Sequence, residues 1–554
     1  MRGRTGAQPA PSVPWALVAV FSALLFVGYV RLRVADVPLE RDEGEYAYAG
    51  QLILQGVPPY ELAYNMKFPG TYYAYAVILA VFGHTPWGIH VGLLLVNAVT
   101  IVLVFILGRR LLGSFAGAVA AVSFSILSLD RWVYGVFAHA THFVVLFAIA
   151  GLLLLLRAIE NESRPWFFWS GALLGVAVLM KQHAVFFLPL GAVLVVWSGS
   201  PGAGRFTAAT AKKLRVMALG AALPLVLVGA VLLAQGVLGR FWFWTFHYAR
   251  AYVSEVSLVN ALPNLFEGLK AATPATLVFW VMGGLGLVAL WLARWEPRAK
   301  LFLTGMLVAS FIAICPGFYF RPHYFILALP AVALLSGVAV TSFRDILLGS
   351  TSRGVATALS VAVLVVAVGL YVARERNFLF SIEPRELSRV VYGRSPFIEA
   401  VEIARYVREH TDANDRIAVL GSEPEIYFYA NRRGATGYIY TYPMMEPQPY
   451  AKTMQQEMIR EIEASHPLYL VFSWIDLSWL ARKESDQGLI DWGRRYVRQC
   501  YDPVGVADIV SETETRYVWG ADNVRTYVAS SSNLVYTFRR KSDVRCAVSE
   551  EAPR

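Results

Sequence analysis

Two acidic residues and a lysine near the start of the chain could carry out acid–base chemistry. Asp42 and Glu43 are adjacent, and Lys67 follows about 25 residues later, two positions before Pro69. A carboxylate can accept a proton as a general base, and an ammonium group can stabilise the negative charge of a phosphate. A non-catalytic interpretation is also open: the two acids could lie in a solvated loop, and the lysine could extend to lipid headgroups.

The segment around these residues predicts how they are positioned. The acidic pair is accompanied by a stretch typical of a short amphipathic helix ended by Gly56, and Lys67 and Pro69 form a Lys-x-Pro turn. The apolar stretch Thr71 to Phe82 is too short for a crossing, so it predicts an interfacial or re-entrant helix. All of these features lie in one loop, residues 34–85, which follows the first apolar segment.

The rest of the first two thirds of the chain has the composition of a membrane domain. Hydrophobic residues make up 56% of the chain and charged residues only 16%, which is far from the average soluble protein. The predicted fold is a polytopic α-helical membrane protein with about eleven transmembrane helices. The predicted spans are roughly residues 15–33, 86–108, 112–128, 138–157, 166–180, 184–198, 216–238, 274–293, 301–316, 322–341 and 354–373.

The composition changes at about residue 374, so we predict a membrane domain over residues 1–373 and a soluble α/β domain over residues 374–554. Phe397 to Glu409 and Met454 to Ala464 have helical patterns, while Arg416 to Leu420 and Leu468 to Phe472 have strand patterns. Cys500 and Cys546 lie in this tail and could pair if it faces an oxidising compartment. Two unpaired thiols are an equally open interpretation.

The basic residues predict the orientation of the chain in the membrane. The net charge of +10 is spread between apolar blocks and forms no dense patch, which argues against nucleic acid as a partner. With the N-terminus inside, the most basic connectors fall on the cytoplasmic side, as the positive-inside rule requires. The sequence therefore predicts a multi-pass protein of the cell membrane whose first loop and C-terminal domain are extracytoplasmic.

Four motifs together resemble a known family. They are Asp42-Glu43-x-x-Tyr46-Ala47 after the first span, Lys67-x-Pro69, Gly108-Arg109-Arg110-Leu111-Leu112-Gly113 after the second span, and Arg321-Pro322-His323-Tyr324 at the start of a late span. In this order they resemble the bacterial branch of the protein mannosyltransferase and aminoarabinose transferase superfamily, which are GT-C glycosyltransferases. The resemblance implies a membrane enzyme that moves one sugar from a polyprenyl-phosphate-linked donor to an acceptor outside the cytoplasm.

The resemblance also implies roles for single residues. Asp42 would be the general base, consistent with an inverting displacement by analogy with glycosidases. Glu43 would orient the acceptor or a neighbouring cation, and a structural role for it is equally open. The donor phosphate would be bound by residues of the Lys-x-Pro turn and of the outer ends of spans, namely Lys67, Lys181, Arg321, His323 and Tyr324. No cofactor is required, although a divalent cation is compatible with the acids.

Several other polar side chains are predicted at the outer ends of spans, where ionisable groups are often functional. They are Arg131, His139, His142, His183, His247, Tyr248 and Arg250. Some relatives carry a further acid in the segment that here contains His139 and His142, so this chain departs from the family at that point. The two histidines have a spacing compatible with metal ligation, but no third ligand is evident nearby.

Two other functions remain compatible with the sequence. A transporter or flippase of lipid-linked sugars would favour inverted repeats and broken helices, and no internal repeat is visible. A polymerase or ligase of surface polysaccharide would share the lipid-linked donor but transfer a longer glycan. The expected partners are the polyprenyl-phosphate sugar, the lipid bilayer and an acceptor that is a glycan, a lipid or a protein.

Overall fold

The computed structural model describes residues 13–198, 206–542 and Cys546, and helices dominate this part of the chain. The first nine helices are α1 (Val13–Arg33), α2 (Arg41–Leu54), α3 (Gly70–Phe82), α4 (Pro86–Leu112), α5 (Ser114–Leu129), α6 (Ala140–Glu160), α7 (Arg164–Met180), α8 (Phe187–Ser198) and α9 (Ala208–Ala234). The next seven are α10 (Leu238–Trp242), α11 (Ala249–Val253), α12 (Leu258–Ala272), α13 (Leu277–Leu292), α14 (Pro297–Ile314), α15 (Leu329–Leu347) and α16 (Arg353–Arg374). Short 3-10 turns occupy Arg131–Val133, Gln182–Phe186, Pro316–Phe318 and Pro322–Ala328.

The chain beyond α16 mixes helices and strands. Its helices are α17 (Arg376–Phe380), α18 (Pro384–Tyr392), α19 (Phe397–Glu409), α20 (Glu425–Ala430), α21 (Tyr442–Met445), α22 (Ala451–Ser465), α23 (Asp476–Trp479), α24 (Gly488–Cys500) and α25 (Ala521–Thr526). Its strands are β1 (Arg416–Leu420), β2 (Arg433–Gly434), β3 (Tyr469–Ser473), β4 (Tyr501–Ile509), β5 (Thr515–Trp519) and β6 (Leu534–Arg540).

Among the described residues, seven helical segments are long and apolar enough to cross a bilayer. They are Trp15–Arg33, α4, α6, α9, α14, Pro322–Leu347 and α16. Helices α12 and α13 also pass this test as a pair, but they are bent by 119° at their junction, as in a broken span or a re-entrant loop. The apolar helices α5, α7 and Gln182–Ser198 are shorter. A helix lies at each predicted span, so the prediction of a polytopic helical membrane protein is confirmed.

Helix α3 is shorter than the seven long apolar segments. Its 13 residues correspond to about 20 Å at the usual rise of an α-helix, which is less than the thickness of the hydrocarbon core, about 30 Å. Val77 and Val81 are four residues apart and both exposed. The prediction that Thr71 to Phe82 forms an interfacial or re-entrant helix is compatible with this length and stays a prediction.

The chain folds into two compact units. The helical unit contains α1, His90–Val228 and Val256–Ile382, and the sheet unit contains Val34–Ile89, Gly229–Glu255 and the chain from Glu383 onward. The division predicted at residues 373 and 374 rests on composition and stays a prediction. The compact sheet unit instead contains both the first loop and the C-terminal strands.

Small residues bring helices close together in the helical unit. A Cβ atom on Gly171 would lie 1.9 Å from the carbonyl oxygen of Met217, and one on Gly175 would lie 2.2 Å from that of Ala221. The two glycines are four residues apart on α7 and face α9, which is the small-x-x-x-small pattern of helix pairs in membranes. Only glycine allows this approach of the two backbones.

In the predicted orientation, Arg31 and Arg33 are exceptions to the positive-inside rule, and the helical unit shows a local role for both side chains. Arg31 is buried and donates hydrogen bonds of 2.9 Å to the carbonyl oxygens of Ser128 and Gly135. Arg33 donates to the carbonyl oxygen of Leu379 at 3.1 Å. Both side chains therefore bind carbonyl groups near the end of a helix, as cations do at C-termini.

The sheet unit is built around one six-stranded sheet with the order β2-β1-β3-β6-β4-β5. Strand β1 is parallel to β2 and β3, whereas β6 is antiparallel to β3 and β4, and β5 is antiparallel to β4. The predicted α/β domain is confirmed, with helix 397–409 and strand 416–420 at the predicted bounds. The antiparallel half, β4 to β6, has no counterpart in the sequence prediction.

The core of the sheet unit includes residues from distant parts of the chain. Tyr64, Trp244 and Tyr248 are buried in the same cluster as Leu420 and Phe472 of the sheet. The segments 34–89 and 229–255 therefore contribute side chains to the same hydrophobic core as the C-terminal residues. Separately, Cys500 and Cys546 form a disulfide with their Cα atoms 5.6 Å apart.

Candidate active site

The start of α2 is fixed by a reciprocal pair of hydrogen bonds. The Glu40 carboxylate accepts from the backbone N–H of Glu43 at 2.9 Å, and the Glu43 carboxylate accepts from the backbone N–H of Glu40 at 3.3 Å. This capping box satisfies two backbone donors that a helix N-terminus leaves without partners. Because the first turn is fixed, Asp42, Glu45 and Tyr46 follow at spacings that place them along one side of the helix.

Lys67 joins two of these side chains. Its Nζ donates to Asp42 Oδ1 at 2.8 Å and to Glu45 Oε2 at 2.6 Å. It also lies 4.5 Å from the centre of the Tyr46 ring and 5.9 Å from that of Tyr440. One ammonium group is thus shared by two carboxylates and bordered by two aromatic rings. We refer to Asp42, Glu45, Tyr46 and Lys67 as the carboxylate–lysine centre.

The two carboxylates of this centre differ in their access to solvent. The side chain of Asp42 is 24% exposed and that of Lys67 is 20% exposed, whereas the side chain of Glu45 is fully buried. Glu45 also accepts a hydrogen bond of 2.5 Å from the hydroxyl of Tyr72, at the start of α3. Glu45 is therefore held on both oxygens, while Asp42 is the carboxylate that a substrate can approach.

Burial and charge set the protonation states within the centre. Burial raises the pKa of Glu45, and the neighbouring Lys67 acts in the opposite direction. Burial lowers the pKa of Lys67, but Asp42 and Glu45 outweigh it and raise that pKa well above its usual value. Lys67 is consequently an ammonium ion at neutral pH, and Asp42 has a permanent cation beside it.

Residues of the C-terminal domain hold α2 in place. The guanidinium of Arg41 donates to the carbonyl oxygen of Ser422 at 2.6 Å, and the backbone N–H of Gly434 donates to the Tyr48 hydroxyl at 2.7 Å. A Cβ atom on Gly44 would lie 2.7 Å from the backbone nitrogen of Glu425, so a larger residue would push α2 away. The helix that carries Asp42 is thus positioned by residues almost 400 positions later.

The helical unit contains a second polar cluster. The Nζ of Lys181 lies 4.1 Å above the ring of Tyr324, and the rings of His323 and Tyr324 meet edge to face at 4.8 Å. His139 stacks on His323 with 4.3 Å between ring centres and 9° between ring planes. His183 contacts Tyr324 at 5.2 Å. We refer to these five residues as the histidine–lysine cluster.

Comparisons with known proteins agree with this architecture. A family model described as dolichyl-phosphate-mannose-protein mannosyltransferase matches residues 66–234. The structure of ArnT from Cupriavidus metallidurans bound to undecaprenyl phosphate is similar, with a TM-score of 0.54 and 19% identity over 84% of this chain and 94% of that chain. No curated protein matches the sequence.

Two structures of the oligosaccharyltransferase from Archaeoglobus fulgidus are also similar. The form tethered with an acceptor peptide gives a TM-score of 0.55 and 14% identity, over 92% of this chain and 74% of that chain. The form named AglB, in complex with an inhibitory peptide and a dolichol-phosphate, gives a TM-score of 0.53 and 13% identity. The match covers 91% of this chain and 74% of that chain. These matches show that the chain has the fold of GT-C glycosyltransferases. At these identities, the likeness to the solved structures concerns the GT-C fold.

Within this GT-C fold, the structure brings several of the predicted site residues together. Asp42 and Lys67 form an ion pair in the sheet unit. In the helical unit, Lys181, His323 and Tyr324 meet, whereas Arg321 is exposed and lies 5.5 Å from the Tyr319 ring. Glu43 is buried and takes part in the capping box, which is the structural role that the sequence left open for it.

Other predicted polar residues have structural partners. The Nε of Arg131 donates to Glu375 Oε2 at 2.7 Å, and the Tyr248 hydroxyl donates to Glu446 at 2.6 Å. Glu45 was missed as a site residue, although it lies within the motif Asp42-Glu43-x-x-Tyr46. Its position three residues after Asp42 was the available signal, because an i,i+3 pair on a helix shares one face.

Proposed function

We propose that this GT-C protein moves a single sugar from a polyprenyl-phosphate-linked donor to an acceptor on the extracytoplasmic face, with Asp42 as the general base. The observation that carries this proposal is the partial exposure of Asp42 while Lys67 holds one of its oxygens at 2.8 Å. A base must be reachable by the acceptor hydroxyl and held in a fixed orientation. Asp42 meets both requirements, whereas Glu45 is reachable by neither solvent nor substrate.

The reaction follows from these roles. An acceptor hydroxyl attacks the anomeric carbon of the donor sugar while the Asp42 carboxylate takes the hydroxyl proton. The bond between that carbon and the phosphate oxygen breaks, and its electron pair leaves with the polyprenyl phosphate. Because base and leaving group act from opposite faces of the sugar, the product has inverted configuration at the anomeric carbon.

Lys67 and Glu45 are proposed to prepare Asp42 for this step. Lys67 fixes the position of the Asp42 carboxylate through the hydrogen bond of 2.8 Å. Glu45 anchors Lys67, and Tyr72 anchors Glu45 through its hydroxyl. The centre is thus preorganised before substrate arrives, so that no side chain must be reoriented during the reaction. Glu43 is proposed to fix the start of α2 and so to orient Asp42 indirectly.

The leaving phosphate requires positive charge and hydrogen-bond donors. We propose Lys181, His323 and Tyr324 for this role because they meet in one cluster, and we retain Arg321 and Lys67 as further phosphate-binding candidates. The solved relatives agree with a lipid-phosphate donor, since ArnT holds undecaprenyl phosphate and AglB holds dolichol-phosphate. Sugar nucleotides are not expected outside the cytoplasm, which also favours a lipid-linked donor.

The decisive experiment measures sugar transfer by purified protein in lipid nanodiscs supplied with radiolabelled polyprenyl-phosphate monosaccharides and membrane extract as acceptor. We expect the parent to transfer label and Asp42→Asn to lose at least about a hundredfold in turnover. Asp36→Asn is the matched control, because Asp36 is an exposed aspartate six positions earlier. Transfer by Asp42→Asn at the parent rate would exclude Asp42 as the base.

The same assay separates the other functions. Movement of intact lipid-linked sugar across the bilayer without transfer would identify a transporter. Transfer from lipid-linked oligosaccharides, but from none of the monosaccharide donors, would identify a polymerase or ligase. Either result would contradict the transfer of a single sugar.

A further inference from the structure

The sheet unit contains an open cleft of about 800 Å³ whose position and polarity suggest a second role. Its volume lies in the range of small-molecule binding sites. It is lined by two chain segments of the first half, residues 61–64 and 235–240, and by residues in or next to β1, β2 and α22.

Glu461 orders one part of the cleft wall. Its carboxylate accepts hydrogen bonds from the Tyr64 hydroxyl at 3.0 Å, from the Thr436 hydroxyl at 2.5 Å and from the backbone N–H of Gly437 at 3.1 Å. Three donors on one carboxylate hold the wall in a single arrangement. A preformed wall lowers the entropic cost of binding a ligand.

Two arginines supply donors at the opening. Arg240 lies 5.4 Å from the centre of the Tyr64 ring and donates weakly to the carbonyl oxygen of Glu61 at 3.4 Å. Arg416 begins β1 and donates to the carbonyl oxygen of Gly434 at 3.2 Å. Both side chains are exposed, and each guanidinium carries five N–H donors, so donors remain for a ligand.

The lining favours a hydroxyl-rich ligand. Two arginines are balanced by two glutamates, Glu61 and Glu461, so a strongly charged ligand gains little. The larger apolar side chains of the lining are limited to Leu62, Tyr64 and Val237, which offer little surface to a long acyl chain. A sugar presents hydroxyl groups that both donate and accept, and the alternation of Arg, Glu, Gln, Thr and Ser side chains matches that pattern.

Two parallel contacts place the cleft next to the carboxylate–lysine centre. The backbone N–H of Tyr64 donates to the carbonyl oxygen of Gly437 at 2.7 Å in the cleft wall. Three residues further along both segments, Lys67 Nζ lies 5.9 Å from the Tyr440 ring. Three residues span at most about 11 Å. The cleft and the centre are therefore separated by a distance that a short oligosaccharide can bridge.

We infer that this cleft binds the oligosaccharide part of a glycan-bearing acceptor and thereby directs one of its hydroxyls towards Asp42. The inference rests on the proposed function for the role of Asp42, but the binding of glycan to the cleft can be measured without any transfer. It selects a glycan among the three acceptor classes that the sequence left open.

The test uses the full chain in detergent on an array of microbial oligosaccharides of two to six sugars, without donor. We expect the parent to bind some of them. The double variant Arg240→Ala/Arg416→Ala should bind at least about tenfold more weakly, since it loses the hydrogen bonds that two charged groups donate to the ligand. Arg433→Ala is the matched control, because Arg433 is exposed and pairs with Arg416 across the sheet without lining the cleft.

Asp42→Asn separates this inference from the proposed function. It should keep glycan binding while losing transfer, because Asp42 does not line the cleft. In transfer assays with a bound glycan as acceptor, the arginine variants should raise the acceptor KM about tenfold and leave the donor KM unchanged. A parent that binds no glycan, or arginine variants that bind as tightly as the parent, would overturn the inference even if Asp42→Asn abolishes transfer.

Discussion

The ammonium of Lys67 lies 2.8 Å from the carboxylate of Asp42, although the two residues are 25 positions apart in the sequence. The same ammonium lies 2.6 Å from the buried carboxylate of Glu45. Lys67 thus neutralises two acids at once. Without it, two negative charges on adjacent turns of α2 would face each other, and one of them would be buried without a cation.

Replacing Lys67 by methionine should therefore reduce both activity and stability. We expect kcat to fall about a hundredfold or more, because the Asp42 carboxylate loses the ammonium group that holds it in place. The buried Glu45 loses its ionic partner, which typically costs about 3–5 kcal/mol. Turnover of a polyprenyl-phosphate sugar and the melting temperature in detergent measure the two effects.

Lys452→Met is the matched control for this variant, since Lys452 is exposed near the start of α22. It should leave turnover and melting temperature unchanged. Lys67→Arg should recover part of the stability, because it restores a cation between the two acids. Full activity in Lys67→Met would contradict the role assigned to the ion pair.

Replacing Lys181 should weaken binding of the donor and leave binding of the acceptor unchanged. Its ammonium lies 4.1 Å above the Tyr324 ring, beside His323. We expect Lys181→Gln to raise the KM for the lipid-linked donor about tenfold or more, because a charge-assisted hydrogen bond to phosphate is lost. The acceptor KM should stay constant, and Lys300→Gln serves as the control. A rise in the acceptor KM alone would contradict phosphate binding by Lys181.

The sequence allowed the membrane helices to be predicted because hydrophobic length is a local property. Apolar runs bounded by charges located each span, and the motif around Asp42 and Lys67 located the loop between the first two. The capping box at Glu40 and Glu43 is also local, since its two acids are three residues apart. Such features can be recognised without knowing the fold.

Other features depend on contacts between distant parts of the chain, which a local sequence pattern does not reveal. Tyr64 and Trp244 are buried against residues of the C-terminal sheet, and nothing in their own segments indicates that partner. The same holds for Tyr48, whose hydroxyl accepts from Gly434. Strands β4 to β6 were missed because antiparallel pairing joins segments whose alternation is weak. The burial of Glu45, which distinguishes it from Asp42, also becomes visible only when α3 packs on α2.

The burial of Glu425 predicts that the stability of the folded protein depends on pH. It is fully buried, and burial together with the neighbouring Glu423 raises its pKa well above the usual value. The folded state therefore binds this proton more tightly than the unfolded state does. Its contribution to stability is complete below the unfolded pKa of about 4.3 and is lost as the pH rises through the folded pKa.

Glu425→Gln removes this titration, so the variant should lose less stability than the parent between pH 5 and pH 8. Glutamine keeps the shape of the protonated acid and has no carboxyl proton to lose. Melting temperatures measured across this range give the comparison, with Glu512→Gln as an exposed control. A variant whose melting temperature falls as steeply as that of the parent would show that another group titrates instead.

The orientation of the chain can be tested with single cysteines in a Cys315→Ser background. Val528 is 84% exposed in the C-terminal domain, and Glu296 is exposed in a basic connector before α14. The positive-inside rule predicts that the connector is cytoplasmic and the domain extracytoplasmic. A membrane-impermeant maleimide added to intact cells should therefore label Val528→Cys at once, and Glu296→Cys only after the membrane is permeabilised.

The Cys500–Cys546 disulfide gives an independent check on the same orientation. A disulfide persists in an oxidising compartment and is reduced in the cytosol, so the two cysteines should resist alkylation in intact cells until a reductant is added. Labelling of Glu296→Cys before permeabilisation, together with no labelling of Val528→Cys, would invert the topology. Asp42 would then face the cytoplasm, where sugar nucleotides are available, and the argument for a lipid-linked donor would lose its main physical reason.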